Sequence, residues 1–235
     1  MSIREEIKEQ NQKAFQEMDA KAKWKHFWHY YKIHTFIALF VICFIIYMIL
    51  HYTIWKPLPY GFAAYALDSN YYVSKDEDAL NAFLDGFAQR EGINTEDYQL
   101  FFDVSCSVDP QSTETLDMAI DMKLVTAGEH GDMDVLIGSP EQIDFYDING
   151  FYQTPFETML PEDLYKELDE QGLIYYYENE EQELRYPVGV YIKDAPRIKA
   201  LNLYPEDAEP VLAIVSYSPR IETAVAFIEY IFETP

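Results

Sequence analysis

Residues Ile33–Trp55 read IHTFIALFVICFIIYMILHYTIW, 23 positions without a formal charge. At about 1.5 Å per helical residue the run spans about 34 Å, enough to cross a hydrocarbon core of about 30 Å. Trp24, Trp28 and Tyr31 precede it and Tyr52 and Trp55 close it, the placement of an aromatic belt at a lipid–water interface. A core helix of a water-exposed domain rarely runs this long without a charge. A cleaved signal has an apolar region of about 7–15 residues that ends at small side chains. Here the exit is Tyr52-Thr53-Ile54-Trp55-Lys56-Pro57, and Cys43 follows Phe40-Val41-Ile42, without the small residue of a lipoprotein signal. The run is expected to remain as a transmembrane anchor. It divides the chain into a juxtamembrane helix (1–32), the span (33–55), a linker (56–60) and an extracytoplasmic body (61–235).

Charge separates the same parts. Residues 1–55 carry seven basic and five acidic side chains, whereas residues 57–235 carry nine basic and 36 acidic ones. Lys21, Lys23, Lys25 and Lys32 lie just before the span and Lys56 alone just after it. Positive residues stay inside, so the N-terminus is expected in the cytoplasm and the acidic body outside, in a bacterial cell membrane. A formal charge of −24 excludes nucleic acid as a partner, because phosphate binding needs basic patches. The juxtamembrane segment 3–28 has a helical pattern in Ile3, Ile7, Ala14, Met18 and Trp28, interrupted by Gln10, Lys21 and Lys25. It is expected to be a solvated helix that continues into the span. His26, His29 and His34 sit among aromatics, as interfacial histidines do, and no metal site is read from them.

In the body, apolar runs alternate with helical stripes. Tyr60–Leu67 (YGFAAYAL), Tyr98–Val104 (YQLFFDV) and Asp134–Ile137 (DVLI) read as strands. A capping box at Ser74-Lys75-Asp76-Glu77, an Asp109-Pro110 start and a Ser139-Pro140-Glu141-Gln142 start place a helix after each. This strand–helix alternation predicts an α/β fold with a mostly parallel sheet. Further on, Pro161–Leu168 and Asp194–Leu201 read as helices, and Leu173–Glu178, Tyr186–Ile192 and Val211–Ser216 as strands. Ser218-Pro219 is expected to cap a last helix that turns Ala224, Phe227, Ile228 and Ile231 inward.

Three stretches share a likeness: Ala127–Gly138 (AGEHGDMDVLIG), Tyr186-Pro187-Val188-Gly189 and Val211–Ile231 (VLAIVSYSPRIETAVAFIEYI). Together they resemble the extracytoplasmic solute-binding proteins of the type 2 periplasmic-binding fold, in order, over most of residues 60–235. The resemblance implies a two-lobed α/β body. With about 175 residues available, the second lobe, 139–185, is expected to be reduced. It also implies a membrane transporter or sensor subunit as partner, and a small polar solute or peptide as ligand.

Ligands of open parallel sheets sit beyond the carboxyl ends of the strands. Those ends carry Asp68, Ser69, Tyr71, Tyr72, Ser105, Ser107, Ser139 and Tyr217, hydroxyl and aromatic groups suited to a small polar solute. Turn chemistry at Asp68-Ser69-Asn70 and helix capping at Ser139 and Ser218 account for several of them equally well. Catalysis finds little support. The body has one histidine, His130, and one cysteine, Cys106, so it cannot build a two-histidine zinc site, and no G-x-S-x-G elbow is present. No catalytic residue, metal or cofactor is expected. Two functions follow: an accessory or scaffold protein with a degenerate binding fold, or a tethered receptor that delivers or senses a solute. The reduced lobe and permanent anchor favour the first. A cleft filled by the chain's own Tyr175, Tyr176 and Tyr177 would distinguish it from the second.

Overall fold

A computed structural model describes residues 19–53, 57–70, 77–109, 112, 114–148, 150–152, 154–179 and 183–234. The chain divides into two units, Met1–Pro57 and Leu58–Pro235.

In the first unit, α1 runs unbroken over Ala20–Thr53. Within it Tyr31–Thr53 is a 23-residue stretch of mean hydropathy 2.7, none of it buried, and long and apolar enough to cross a membrane. Thr35 and Thr53 donate their hydroxyls to the carbonyls of Tyr31 and Ile49, at 2.9 and 2.6 Å. Folding back in this way satisfies both hydroxyls within the helix. Trp24 stacks on Phe27 and Trp28, and Phe27 on Tyr31. These rings and Tyr52 are exposed. The expected helix over 3–28 is seen from Ala20 onward and joins the apolar stretch without a break. Its earlier part, and Trp55 at the far end, lie outside the described residues.

The second unit is a three-layer α/β body. Its strands are β1 (Tyr60–Leu67), β2 (Gln99–Cys106), β3 (Val135–Gly138), β4 (Ile174–Asn179), β5 (Leu184–Tyr191) and β6 (Val211–Ile214). The described helices are α2 (Glu77–Glu91), α3 (Thr115–Glu129), α4 (Pro140–Ile148), α5 (Phe156–Met159), α6 (Glu162–Glu170), α7 (Pro196–Ala200) and α8 (Ile221–Phe232). All six strands form one sheet in the order β2-β1-β3-β6-β5-β4.

Strand β1 explains why the sequence reads apolar at every position. Phe62, Ala64 and Ala66 pack in one core with Phe83 and Phe87 of α2 and Phe227 and Ile231 of α8. Tyr65 and Leu67 pack on the opposite face with Leu124 of α3 and Ile143 and Tyr146 of α4. A strand covered on both faces cannot alternate apolar with polar. Phe227 anchors the first core, its ring 4.5 Å from Phe62 and 5.3 Å from Phe87, centroid to centroid.

The sheet is mixed, which corrects the expectation of a mostly parallel one. Strand β1 pairs parallel with β2 and β3, as the strand–helix alternation requires. The β3–β6, β6–β5 and β5–β4 pairs are antiparallel. The alternation ends after α4, and β4 and β5 follow each other with only residues 180–183 between them. So short a connection permits only antiparallel pairing. Strand β6 then enters between β3 and β5 from the opposite direction. At Gly189 a Cβ atom would stand 2.4 Å from the Leu212 carbonyl oxygen, so the β5–β6 contact needs glycine there. Residues 139–185, read as a second lobe, supply α4, α5, α6, β4 and the first residues of β5 to this one sheet and its cores.

Helix starts also differ from the sequence reading. Helix α3 begins at Thr115, and no side chain caps it. Asp109 instead closes a turn in which its carbonyl accepts from Ser112 N–H at 3.0 Å. The capping box at 74–77 falls largely within 71–76, outside the described residues.

Candidate functional site

The carboxyl ends of β1, β2 and β3 do converge, and their side chains pair with one another. Asp68 leaves β1 in a left-handed conformation with φ 51°. Its carboxylate accepts from Ser107 Oγ and from Gln142 Nε2, both at 2.6 Å. Gln142, 6 % exposed, also donates to the Val108 carbonyl at 3.0 Å. Ser139 and Gln142 form a reciprocal capping box: Ser139 N–H donates to Oε1 at 2.9 Å, and Gln142 N–H donates to Ser139 Oγ at 3.3 Å. The amide can lie there because residue 138 is glycine; a Cβ atom would stand 2.9 Å from Oε1. Ser69 donates to the Val104 carbonyl at 2.7 Å, and half-buried Tyr204 donates to the Leu67 carbonyl at 3.0 Å. Asp68, Ser69, Ser107 and Ser139 are therefore brought together, with their polar atoms satisfied by the chain itself. Tyr71 and Tyr72 lie outside the described residues.

Ser105 turns away from this group. Its hydroxyl and N–H both donate to Asp103 Oδ1, at 2.6 and 2.9 Å, and Lys123 pairs with the other oxygen of Asp103. Burial alone would raise the Asp103 carboxyl, but the Lys123 ammonium and the Ser105 donors hold it below the ordinary carboxylate range. Cys106 beside it is pushed up to about 11 by burial and the Asp103 charge. That keeps it a thiol at neutral pH, the opposite of a nucleophilic cysteine.

Tyr217 is at the opposite end of the strands. Grouping it with Asp68 requires β6 to run parallel to β1 and β3. Strand β6 is antiparallel to β3, so its carboxyl end lies beside the start of β3, where Val215 N–H donates to the Asp134 carbonyl. Ser216 Oγ accepts there from Thr154 N–H at 2.8 Å. Ser218 does not cap α8, whose N-cap residue is Arg220. It accepts from Arg220 N–H at 2.9 Å and donates to Asp134. Asp134 is fully buried. It also accepts from Ala63 N–H at 2.7 Å and from Arg220 Nε at 3.0 Å, while Arg220 Nη2 donates to the Gly131 carbonyl at 2.8 Å. This ion pair ties β1, β3 and the start of α8 together. Sequence reasoning quoted both residues without joining them, since 86 positions separate them.

A third polar group lies on the α4 side of β4 and β5. Tyr175 donates to Asp144 at 2.8 Å, Tyr186 donates to Asp147, and Tyr146 donates to Asp121 at 2.9 Å. Burial raises the Asp144 and Asp147 carboxyls; for Asp147 the Asp144 charge adds to it. The Tyr175 and Tyr177 rings lie against Tyr191 and Tyr186, with centroids 5.4 and 5.3 Å apart. Tyr176 instead faces the other side, near Tyr165 and Asp169. Among the described residues, no group of three His, Cys, Asp or Glu side chains is placed to hold a metal ion.

Geometry thus defines an α/β body with a mixed six-stranded sheet, following a helix long and apolar enough to cross a membrane. The chain matches no protein-family model, no curated protein and no solved structure.

Proposed function

We propose that the chain is a single-pass bacterial membrane protein whose extracytoplasmic body acts as a non-catalytic accessory or scaffold for a membrane partner, a transporter or sensor subunit. The reading treats the body as a degenerate relative of the solute-binding proteins, anchored in the lipid bilayer by α1 with the N-terminus in the cytoplasm. The observation that carries it is internal pairing at the carboxyl ends of β1–β3: Asp68, Ser107, Ser139 and Gln142 spend their hydrogen bonds on one another, although Asp68 and Ser107 are exposed. A solute receptor needs such groups unmatched until its ligand arrives. Tyr175, held by Asp144 and only 9 % exposed, is likewise committed within the chain, in the separate group on the α4 side.

The test uses the full chain in lipid nanodiscs, melted against sugars, dicarboxylates and divalent cations. A ligand at a hundred times its dissociation constant adds about 2.7 kcal/mol, a shift of several degrees. A flat panel is expected. A selective shift that Ser107→Ala or Gln142→Ala removes would replace this proposal with a tethered solute receptor. For the anchor, the protein should stay with membranes through an alkaline wash, and protease added outside spheroplasts should digest the body. Protection of the body would reverse the orientation.

A further inference from the structure

Beside β5 lies a cleft of about 390 Å³, lined by Asp147 of α4, Tyr152 and Pro155 of the following loop, Glu157 of α5, and Tyr186 and Pro187 of β5. Its volume is within the range of small-ligand sites. Two of its six lining side chains are carboxylates and none is basic. Tyr152 differs from the other tyrosines on this face. Tyr146, Tyr175 and Tyr186 each donate to a carboxylate. Tyr152 is 8 % exposed, and its buried hydroxyl has no hydrogen-bond partner. Among the charges acting on that hydroxyl, Asp147 in the same cleft weighs most. A buried phenol without a partner costs free energy that evolution ordinarily avoids, unless a ligand supplies the missing bond.

We infer that the cleft of Asp147, Tyr152, Pro155, Glu157, Tyr186 and Pro187 binds a primary ammonium group on an alkyl stem. The carboxylates of Asp147 and Glu157 supply the charge. Tyr152, held neutral by its burial, has oxygen lone pairs to accept from an ammonium N–H. The Tyr186 ring, packed on Tyr177, and the two prolines offer an apolar and cation-attracting wall for the methylene stem. A metal ion would need more oxygen or nitrogen ligands than this arrangement offers. The half-buried Asp147 and the exposed Glu157 have no ion-pair partner among the described residues, so the ammonium has charge to neutralise. The same chemistry is presented by a lysine side chain of a partner peptide and by a free alkyl diamine. The inference rests on this cleft alone and stands apart from the crevice at Asp68.

Calorimetric titration of the full chain in uncharged-lipid nanodiscs, at physiological salt, tests it. The probes are N-acetyl-lysine methylamide, cadaverine and the uncharged N-acetyl-norleucine methylamide. The two ammonium probes should bind saturably and the norleucine probe should not. Asp147→Asn should weaken binding at least tenfold, and Glu157→Gln, at an exposed position, two- to fivefold. Tyr152→Phe should weaken binding while raising the melting temperature of the free protein, because it removes an unmatched hydroxyl. A purely structural tyrosine would move only the second readout. Asp163→Asn, in a different cleft, should change nothing. Tighter binding of the lysyl probe assigns a peptide ligand, and tighter binding of cadaverine a free diamine. Failure of both ammonium probes to bind, or equal weakening by Asp163→Asn, would overturn the inference. Should Asp147→Asn not fold, unchanged binding in both Glu157→Gln and Tyr152→Phe would overturn it equally. A shift belonging to the Asp68 crevice would be removed by Gln142→Ala and untouched by Glu157→Gln.

Discussion

Two polar regions of the body have opposite accounts. At the carboxyl ends of β1–β3 and at the Asp134 pair, the hydrogen bonds close within the chain: Asp68 with Ser107 and Gln142, Asp134 with Ala63, Ser218 and Arg220. On the α4 side of β4 and β5, acidity is in surplus. Asp144 and Asp147 receive tyrosine hydroxyls in place of cations, their carboxyls are raised, and Tyr152 is left unmatched. A region that satisfies itself contributes to holding the fold. One that leaves charge and a hydroxyl unmet holds them for something outside the chain. The difference separates the groups that chemistry could use from those already committed to structure.

The largest break in this comparison should come from Asp134→Asn. It leaves Arg220, whose side chain is 19 % exposed, without its counter-charge, in the situation where removing one partner costs about 3–5 kcal/mol. Chemical denaturation of the full chain in nanodiscs should show that loss at unchanged m-value. A loss below about 1 kcal/mol, the size of an exposed pair, would mean that the site is not internally closed.

A smaller effect is expected from Gln142→Ala, which strands Asp68 Oδ2, Ser139 N–H and the Val108 carbonyl together. Asp68 is exposed and can turn to water, so the cost falls on the half-buried Ser139 N–H and the buried Val108 carbonyl, about 1–3 kcal/mol. Tyr152→Phe should move stability in the opposite direction, because there the unmatched group is the one removed. If both substitutions destabilised equally, the two regions would not differ in kind and the contrast would fail.

How much of this was legible follows from the range over which each signal acts. The apolar run of α1 and the doubly buried β1 declare themselves locally, through Ile33–Trp55 and Tyr60–Leu67. The Ser139–Gln142 capping box is also local, spacing three, and the structure has both of its bonds. Strand direction was misread at β6, since an apolar run such as Val211–Ile214 carries no sign of which way it enters a sheet. That error put Tyr217 at the wrong end of the strands. The Asp134–Arg220 pair and the placement of Tyr186 beside Asp147 and Tyr152 depend on contacts between distant segments, and no spacing in the sequence encodes them. A faint signal did exist: Arg220 is one of only nine basic residues in an acidic body, and so a scarce partner for a buried acid.

Acidification sharpens the contrast by the smallest effect. Asp144 and Asp147 have folded pKa values above the ordinary 3.8, so between the two values the folded state holds more protons than the unfolded one. Their contribution to stability therefore grows as pH falls from neutral through that window and is complete below 3.8. Asp103 has the opposite sign. Its pKa is lowered, so its contribution is intact above 3.8 and is lost only as pH falls further. Relief of self-repulsion in a body of net charge −27 acts in the same direction as Asp144 and Asp147. Melting temperature should thus rise modestly as pH falls from 7 toward 3.8 and fall below it. The repulsion is spread over the whole surface, whereas the two carboxyls are local, and substitution separates them: Asp144→Asn with Asp147→Asn should flatten the rising limb, and Asp163→Asn should not. An unchanged rising limb in the double variant would assign it to overall charge, and the tyrosine-bound carboxylates would then be as well matched as Asp68.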